Sequence, residues 1–202
     1  MKECLVFGRT NVGKTMFVLN FAEYLGLNKI EVRVRFPNEF VTKKEYSIAQ
    51  AKRELTGLGP HKTRSLQSVT VEIPAGKGKK KLEITDTTGL IDTIHEDVEI
   101  RRAIAQTLGM LRQADILIHI IDVSKLMPDP NQPLLDAIDY QLIQYAQLKG
   151  RYCILANKMD LPGAKEGLQR LQQELPGQYI IPISALYKRG FKEVKTFVTH
   201  SI

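Results

Sequence analysis

The stretch LVFGRTNVGKT, residues 5–15, constrains this chain more than any other part of it. An apolar run ends in Gly8, four mixed residues follow, and Gly13-Lys14-Thr15 opens a segment of helical periodicity. Cys4 to Phe7 reads as a buried strand and Met16 to Leu25 as a helix, so the glycines and the lysine stand where one element turns into the other. A turn of this kind cradles phosphate. Its backbone N–H groups converge on a β-phosphate, Lys14 reaches the β- and γ-phosphates, and Thr15 offers its hydroxyl to magnesium. Gly8 and Gly13 let the backbone come that close, and the following helix N-terminus favours the anion.

With 202 residues, 43% of them hydrophobic, the chain is expected to form one domain, 1–202, with an embellishment. The N-terminus runs directly into the first strand and no apolar stretch is long enough to span a bilayer, so a soluble, cytoplasmic protein without a membrane partner is expected. Cys4 and Cys153 lie in apolar runs without the spacing of a zinc or redox site, and read as small buried hydrophobes. The net charge of +7 suits an anionic partner, which nucleotide phosphate satisfies in part.

Strand-like runs alternate with helical periodicity, without internal repeats, and this predicts a mainly parallel, doubly wound α/β sheet. Further strands are expected at Ser68 to Ile73, Lys81 to Thr85, Ile116 to Ile121, Tyr152 to Ala156 and Tyr179 to Ile183. Helices are expected at Asp97 to Arg112, Leu134 to Leu148, Ala164 to Glu174 and Phe191 to Val198. The turn PAGKGKK makes one edge an antiparallel hairpin. Ligands of such sheets bind beyond the carboxyl ends of the strands, where the phosphate loop lies.

Two more strand ends carry chemistry. After KLEIT comes DTTG, in which Asp86 can hold magnesium through its water shell and the Gly89 N–H can approach a γ-phosphate. After YCILA comes NKMD, in which Asp160 can accept from the N1–H and N2 amino group of guanine while Asn157 meets the O6/N7 side. Adenine would leave that carboxylate unpaired, and a site built on such bonds rejects the wrong ligand by roughly 10⁴ to 10⁵. The expected ligand is therefore GTP or GDP. ISAL, ending in Ser184, Ala185 and Leu186, follows the last strand and can add backbone contacts to the base.

With these motifs in this order the chain resembles the small GTP-binding domains of the Era, EngA and TrmE superfamily. GRTNVGKT is similar to that group's phosphate loop, DTTGLIDTIHEDVEIRRAIAQTLGMLRQADILIHIID to its switch II, helix and following strand, and NKMD with SAL completes the set. The resemblance implies a P-loop G-domain fold with six strands and five principal helices on both faces, binding of GTP and GDP with magnesium, and slow GTP hydrolysis. It extends nucleotide contacts over Gly8, Asn11, Val12, Gly13, Lys14, Thr15 and Met16, and over Asn157, Lys158 and Asp160. It assigns Thr15 and Asp86 to magnesium and Gly89 to the γ-phosphate. For the switch I threonine that ligates magnesium, Thr42, Thr56 and Thr63 are candidates. Thr63 is chosen because PHKTRS is similar to the family's Thr-Arg signature, although Lys62 replaces the usual preceding threonine.

Leu90 stands where many regulatory GTPases carry a glutamine, and a hydrocarbon cannot orient the attacking water. Another group, a partner or a bound cation must help. In potassium-activated relatives the asparagine matching Asn11 is a potassium ligand, and positive charge at that point is worth about 10³ to 10⁵ in rate. The plainer role for Asn11 is shaping its loop. Lys14, Asn11, Thr63 and Gly89 form the expected catalytic group.

The chain departs from the family in an expanded switch I segment, about 27–68, whose insertion runs from Leu27 to Pro60. It holds the alternating IEVRVRF and an expected helix NEFVTKKEYSIAQAKREL, N-capped by Asn38. It is either a solvated decoration or an effector surface repositioned by nucleotide. Basic residues gather at Lys77, Lys79, Lys80 and Lys81, and at Lys43, Lys44, Lys52, Arg53, His61, Lys62 and Arg64. They read as solvated charge or as a contact to RNA or the ribosome. His119 reads as a satisfied core residue, and His61, His95 and His200 show no ligand spacing. Three functions stay open: a GTP-hydrolysing switch on an effector protein, an RNA or ribosome assembly factor, and a nucleotide-binding module with negligible turnover. A nucleotide-dependent homodimer is implied by the resemblance alone.

Overall fold

The computed structural model describes residues 1–35, 41–56, 66–75, 78–87, 109–126 and 133–202. Its strands are β1 (Lys2–Phe7), β2 (Lys29–Arg35), β3 (Val41–Ser47), β4 (Leu66–Ala75), β5 (Gly78–Asp86), β6 (Ile116–Asp122), β7 (Tyr152–Asn157) and β8 (Ile180–Pro182). Its helices are α1 (Lys14–Tyr24), α2 (Ile48–Leu55), α3 (Ala137–Gln147), α4 (Ala164–Glu174) and α5 (Phe191–Ser201), with a 3₁₀ turn at Val123–Lys125. Residues 109–113 are also helical. One sheet runs in the order β3-β2-β4-β5-β1-β6-β7-β8.

The alternation within β1 explains the layers. Cys4 and Val6 join a core with Phe17 and Phe21 of α1, Ile48 and Ala51 of α2, and Val194 of α5. Leu5 and Phe7 point the other way, toward Leu142 and Ile143 of α3 and Leu171 of α4. Every residue of β6 is buried, as a strand covered on both faces requires. On β2 the alternation is apolar and charged: Ile30 and Val32 are buried, while Glu31 pairs with Arg33 and Arg33 reaches Glu83 of β5.

β1 is parallel to β5 and β6, and β6, β7 and β8 continue in parallel. The expected hairpin is β4–β5, antiparallel from Gln67↔Asp86 to Ala75↔Gly78. The sheet has eight strands rather than six, because the insertion adds its own hairpin, β2–β3, beyond β4. The stretch expected as one helix from Asn38 is instead strand and then helix. Val41–Ser47 pairs along all of β2, bringing the buried Tyr46 opposite Ile30, and this pairing overrides the weak helical pattern of its Lys-Lys-Glu run. The helix begins one residue later. Ser47, in an extended conformation, caps it by accepting from the Gln50 N–H at 3.2 Å, while Asn38 lies outside the described residues.

Cys4 and Cys153 are buried and free, and burial pushes both thiols up. His119 is fully buried, stacked on Phe7 with ring centroids 4.5 Å apart, and lies between the Tyr152 hydroxyl (3.3 Å) and the Asp139 carboxylate (3.4 Å). Among the described residues no helix is long and apolar enough to cross a membrane.

Candidate nucleotide-binding site

Because β1, β5, β6, β7 and β8 run in one direction, the segments that follow them open at one edge of the sheet. The loop after β1 is held in an unusual backbone. Gly8 has φ 140°, and a Cβ there would lie 2.2 Å from the Ile120 carbonyl oxygen. Gly13 has φ 101°, with a Cβ position 2.5 Å from Asn157 Nδ2. Only glycine meets both demands. Asn11 also has a positive φ, 60°, which asparagine tolerates better than most residues, and it is exposed at the loop's tip.

Lys14 opens α1 and is buried. Its ammonium folds back over the loop, donating to the carbonyls of Gly8 (2.8 Å) and Arg9 (2.6 Å), which places the charge above the cradle. Gly13, the residue before α1, has no side-chain cap, so the first amides of α1 are left to face the loop. Val12 is buried beneath it and Met16 is half-buried against the core.

Asp86 ends β5 in register with Val6, and Thr87 N–H bonds the Val6 carbonyl at 3.1 Å. This delivers the buried Asp86 to Thr15, whose hydroxyl donates to Oδ2 at 2.5 Å. The two oxygens make a donor pair that fits magnesium, an ion normally held by one or two protein oxygens together with phosphate and water. Among the described residues no group of three or more His, Cys, Asp or Glu gathers around a metal position.

Asn157 ends β7 and is a junction. Its Nδ2 donates to the Val12 carbonyl at 2.7 Å and its Oδ1 accepts from the Ala185 N–H at 2.9 Å, which joins the phosphate loop to the Ser184–Leu186 loop. Lys158, at φ 69°, pairs with Asp122 at the end of β6 (2.7 Å). The half-buried Asp160 accepts from Ser184 Oγ at 2.5 Å, which fixes its carboxylate. Leu186 is exposed.

The sequence reading missed three of these partners. Asn20 of α1 is buried and donates to the Ala185 carbonyl at 2.7 Å, and it stood out only as one polar residue within an apolar run. Asp122 accepts from Ser124 as well as pairing with Lys158. Glu23 bonds both Lys52 and Lys188. Of the switch I candidates, Thr42 lies within β3 opposite Val34, and Thr56 caps α2 by donating to the Lys52 carbonyl. Thr63, Gly89 and Leu90 lie outside the described residues, as do His61, Lys62, Arg64, Lys77 and His95. At the basic hairpin Lys79 pairs with Glu72 and Lys80 donates to the Ile202 carbonyl.

The sequence of residues 3–158 matches the family described as 50S ribosome-binding GTPases. The chain belongs to this GTPase family. Among curated relatives, GTPase Obg of Ruminiclostridium cellulolyticum is 32% identical over 127 residues, covering 61% of this chain and 29% of that protein. The chain thus spans less than a third of the length of the Obg proteins it matches. Two solved structures share its fold. Era of Aquifex aeolicus, a variant bound to GDP·AlF4⁻, superposes with a TM-score of 0.58 at 16% identity, over all of this chain and 57% of that one. The cytosolic domain of L. pneumophila FeoB gives 0.56 at 20% identity, over 99% and 70%. Lys14, Thr15, Asp86, Asn157 and Asp160 thus gather at the edge that follows the parallel strands, where ligands of such sheets bind.

Proposed function

We propose that this chain binds GTP and GDP at that edge and hydrolyses GTP slowly, as a nucleotide-dependent switch. The observation that carries the reading is the Asn157 junction. One buried amide ties the loop shaped for phosphate to the loop that orients Asp160, so phosphate and guanine recognition form one rigid unit. Lys14 holds the β- and γ-phosphates, the loop amides from Gly8 to Met16 line them, and Asp160 with Lys158, Ser184, Ala185 and Leu186 surrounds the base. Magnesium, when bound, neutralises the charge shared by the β- and γ-phosphates. Thr15 and Asp86 hold it, with Thr63 as the switch I ligand and Gly89 at the γ-phosphate. The engagement of Thr42 and Thr56 in β3 and at the end of α2 supports Thr63. Residues 1–202 then act as one GTP-binding unit, cytoplasmic, with 27–68 as its expanded switch I.

Binding of fluorescent GDP and ADP, followed by single-turnover GTP hydrolysis in potassium and in sodium for wild type and Asn11→Ala, tests this. Guanine preference with potassium stimulation lost in the mutant supports the reading with Asn11 as potassium ligand. Equal slow rates in both salts remove potassium and leave catalysis to a partner or to a homodimer. Equal affinity for ADP overturns the guanine site.

A second reading rests on the family description: the switch acts on the large ribosomal subunit, with the exposed Arg53 and Lys81 among the basic residues facing RNA, while Lys43 and Lys44 already pair with Glu31 and Glu54. Co-sedimentation with 50S subunits that depends on nucleotide and weakens with salt supports it. Binding to a protein effector alone removes it.

A further inference from the structure

Among the described residues, the insertion and the base-binding loop meet at one carboxylate. Glu23, in the last turn of α1, accepts from Lys52 of α2 and from Lys188 of the segment after β8, both on the same oxygen, Oε2, and both at 2.6 Å. The two lysines hold the Glu23 carboxyl below the usual carboxylate range, Lys188 having the larger effect, so it is ionised at neutral pH. Lys188 itself has φ 58°, a left-handed backbone that a lysine adopts only where its surroundings hold it there.

The loop that carries Lys188 is the one that shapes the base site. Ser184 at its start bonds Asp160, Ala185 bonds Asn157, and Ser184 N–H closes the loop on the Arg189 carbonyl at 3.2 Å. One turn before Glu23 on α1, Asn20 grips the same loop at the Ala185 carbonyl. α1 therefore holds the loop at two points, one neutral and buried, the other charged and half-exposed. The charged point alone is shared with α2, which packs on the same core through Ile48 and Ala51.

We propose that Glu23 is a positioning residue for guanine nucleotide, acting through Lys188, and that Lys52 lets helix α2 of the insertion set the lifetime of bound nucleotide through that carboxylate. The proposal rests on the guanine reading above. With Glu23 neutral, the two ammonium groups that it bridges face each other without a counter-charge, and repulsion pushes the loop off α1. Drawing α2 away removes one of the two cations from Glu23 and leaves Lys188 as its remaining partner. A partner that displaces α2 therefore alters nucleotide release without touching the nucleotide.

The test is release of mant-GDP, chased with excess GDP in the presence of magnesium, for wild type, Glu23→Gln, Lys188→Met, Lys52→Met and the double variant Glu23→Gln with Lys52→Met. Circular dichroism melts check each fold, and the two lysine variants, at half-buried positions, carry the test if Glu23→Gln melts early. Glu23→Gln and Lys188→Met are expected to release nucleotide about 3- to 10-fold faster than wild type, in keeping with the modest strength of partly exposed ion pairs. Lys52→Met alone is expected to shift release about twofold, and to reverse sign or lose its effect once Glu23 is neutral. Wild-type and Glu23→Gln release rates should also converge as salt rises, because salt screens the pairing in the one and the repulsion in the other. Release from both Glu23→Gln and Lys188→Met within 1.5-fold of wild type overturns the positioning role. A Lys52→Met effect of equal size and sign in both backgrounds overturns the route through Glu23. Failure of the wild type to retain mant-GDP overturns the guanine reading and this proposal with it.

Discussion

Replacing Asn157 by alanine tests the junction on which the site is built. The side chain is 2% exposed, and its loss orphans two buried backbone groups at once, the Val12 carbonyl and the Ala185 N–H. Each buried group left without a partner costs about 1–3 kcal/mol, so the two together cost about 2–6 kcal/mol, less whatever water restores. That is a large part of a typical stability of about 5–15 kcal/mol. Asn157→Asp separates the two bonds: it still accepts from Ala185, but sets a negative oxygen against the Val12 carbonyl, so the phosphate-loop side alone fails. Guanidinium unfolding of both variants without nucleotide, and again with saturating magnesium-GDP, measures the effect. Asn157→Ala is expected to lower the midpoint in both series and to reduce the stabilisation that GDP adds, because the loops no longer arrive pre-set. A change below about 1 kcal/mol without nucleotide, together with an unchanged increment from GDP, would refute the reasoning.

Asp160→Asn converts an acceptor of two guanine donors into a mixed group, so GDP affinity should fall by at least about 10²-fold while xanthosine diphosphate gains relative to it, as read by competition with a fluorescent nucleotide. Gly8→Ala forces a side chain into φ 140° and against the Ile120 carbonyl, and should cost about 2 kcal/mol or more in thermal unfolding. Thr15→Ala removes the hydroxyl that meets Asp86, and should raise the magnesium concentration needed for half-maximal GTP binding while leaving magnesium-free GDP binding within about threefold.

Much of this architecture was legible because its strands are buried and its loops chemically specific. β1 from Cys4 on, β6 around His119, and β7 up to Ala156 are apolar runs, and the residues that follow them carry the chemistry. β3 was not legible. Of its seven residues only Tyr46 is buried, and its extended state comes from pairing with β2 rather than from its own pattern. Asn157 was read as a contact to the base, but its tie from Val12 to Ala185 depends on residues brought together by the sheet. Asn20 and Glu23 were invisible for the same reason, since their partners near 185–188 lie on the far side of the chain. Cys4, Cys153 and His119 read correctly as core residues because an apolar run around a small or amphipathic side chain leaves few alternatives.

The sheet order also dictates when the molecule can become whole. β1 is made first, yet both of its neighbours, β5 and β6, come from much later in the chain. The hairpins β2–β3 and β4–β5 can close locally as they leave the ribosome, but β1 must wait for Asp86 on one side and His119 on the other. A chain stalled before Ile116 has no strand to cover the second edge of β1, and Leu5 and Phe7 lack most of their partners. The loop after β1 is thus among the first segments synthesised and among the last to become rigid, so on the proposed reading an incomplete chain lacks a formed nucleotide site.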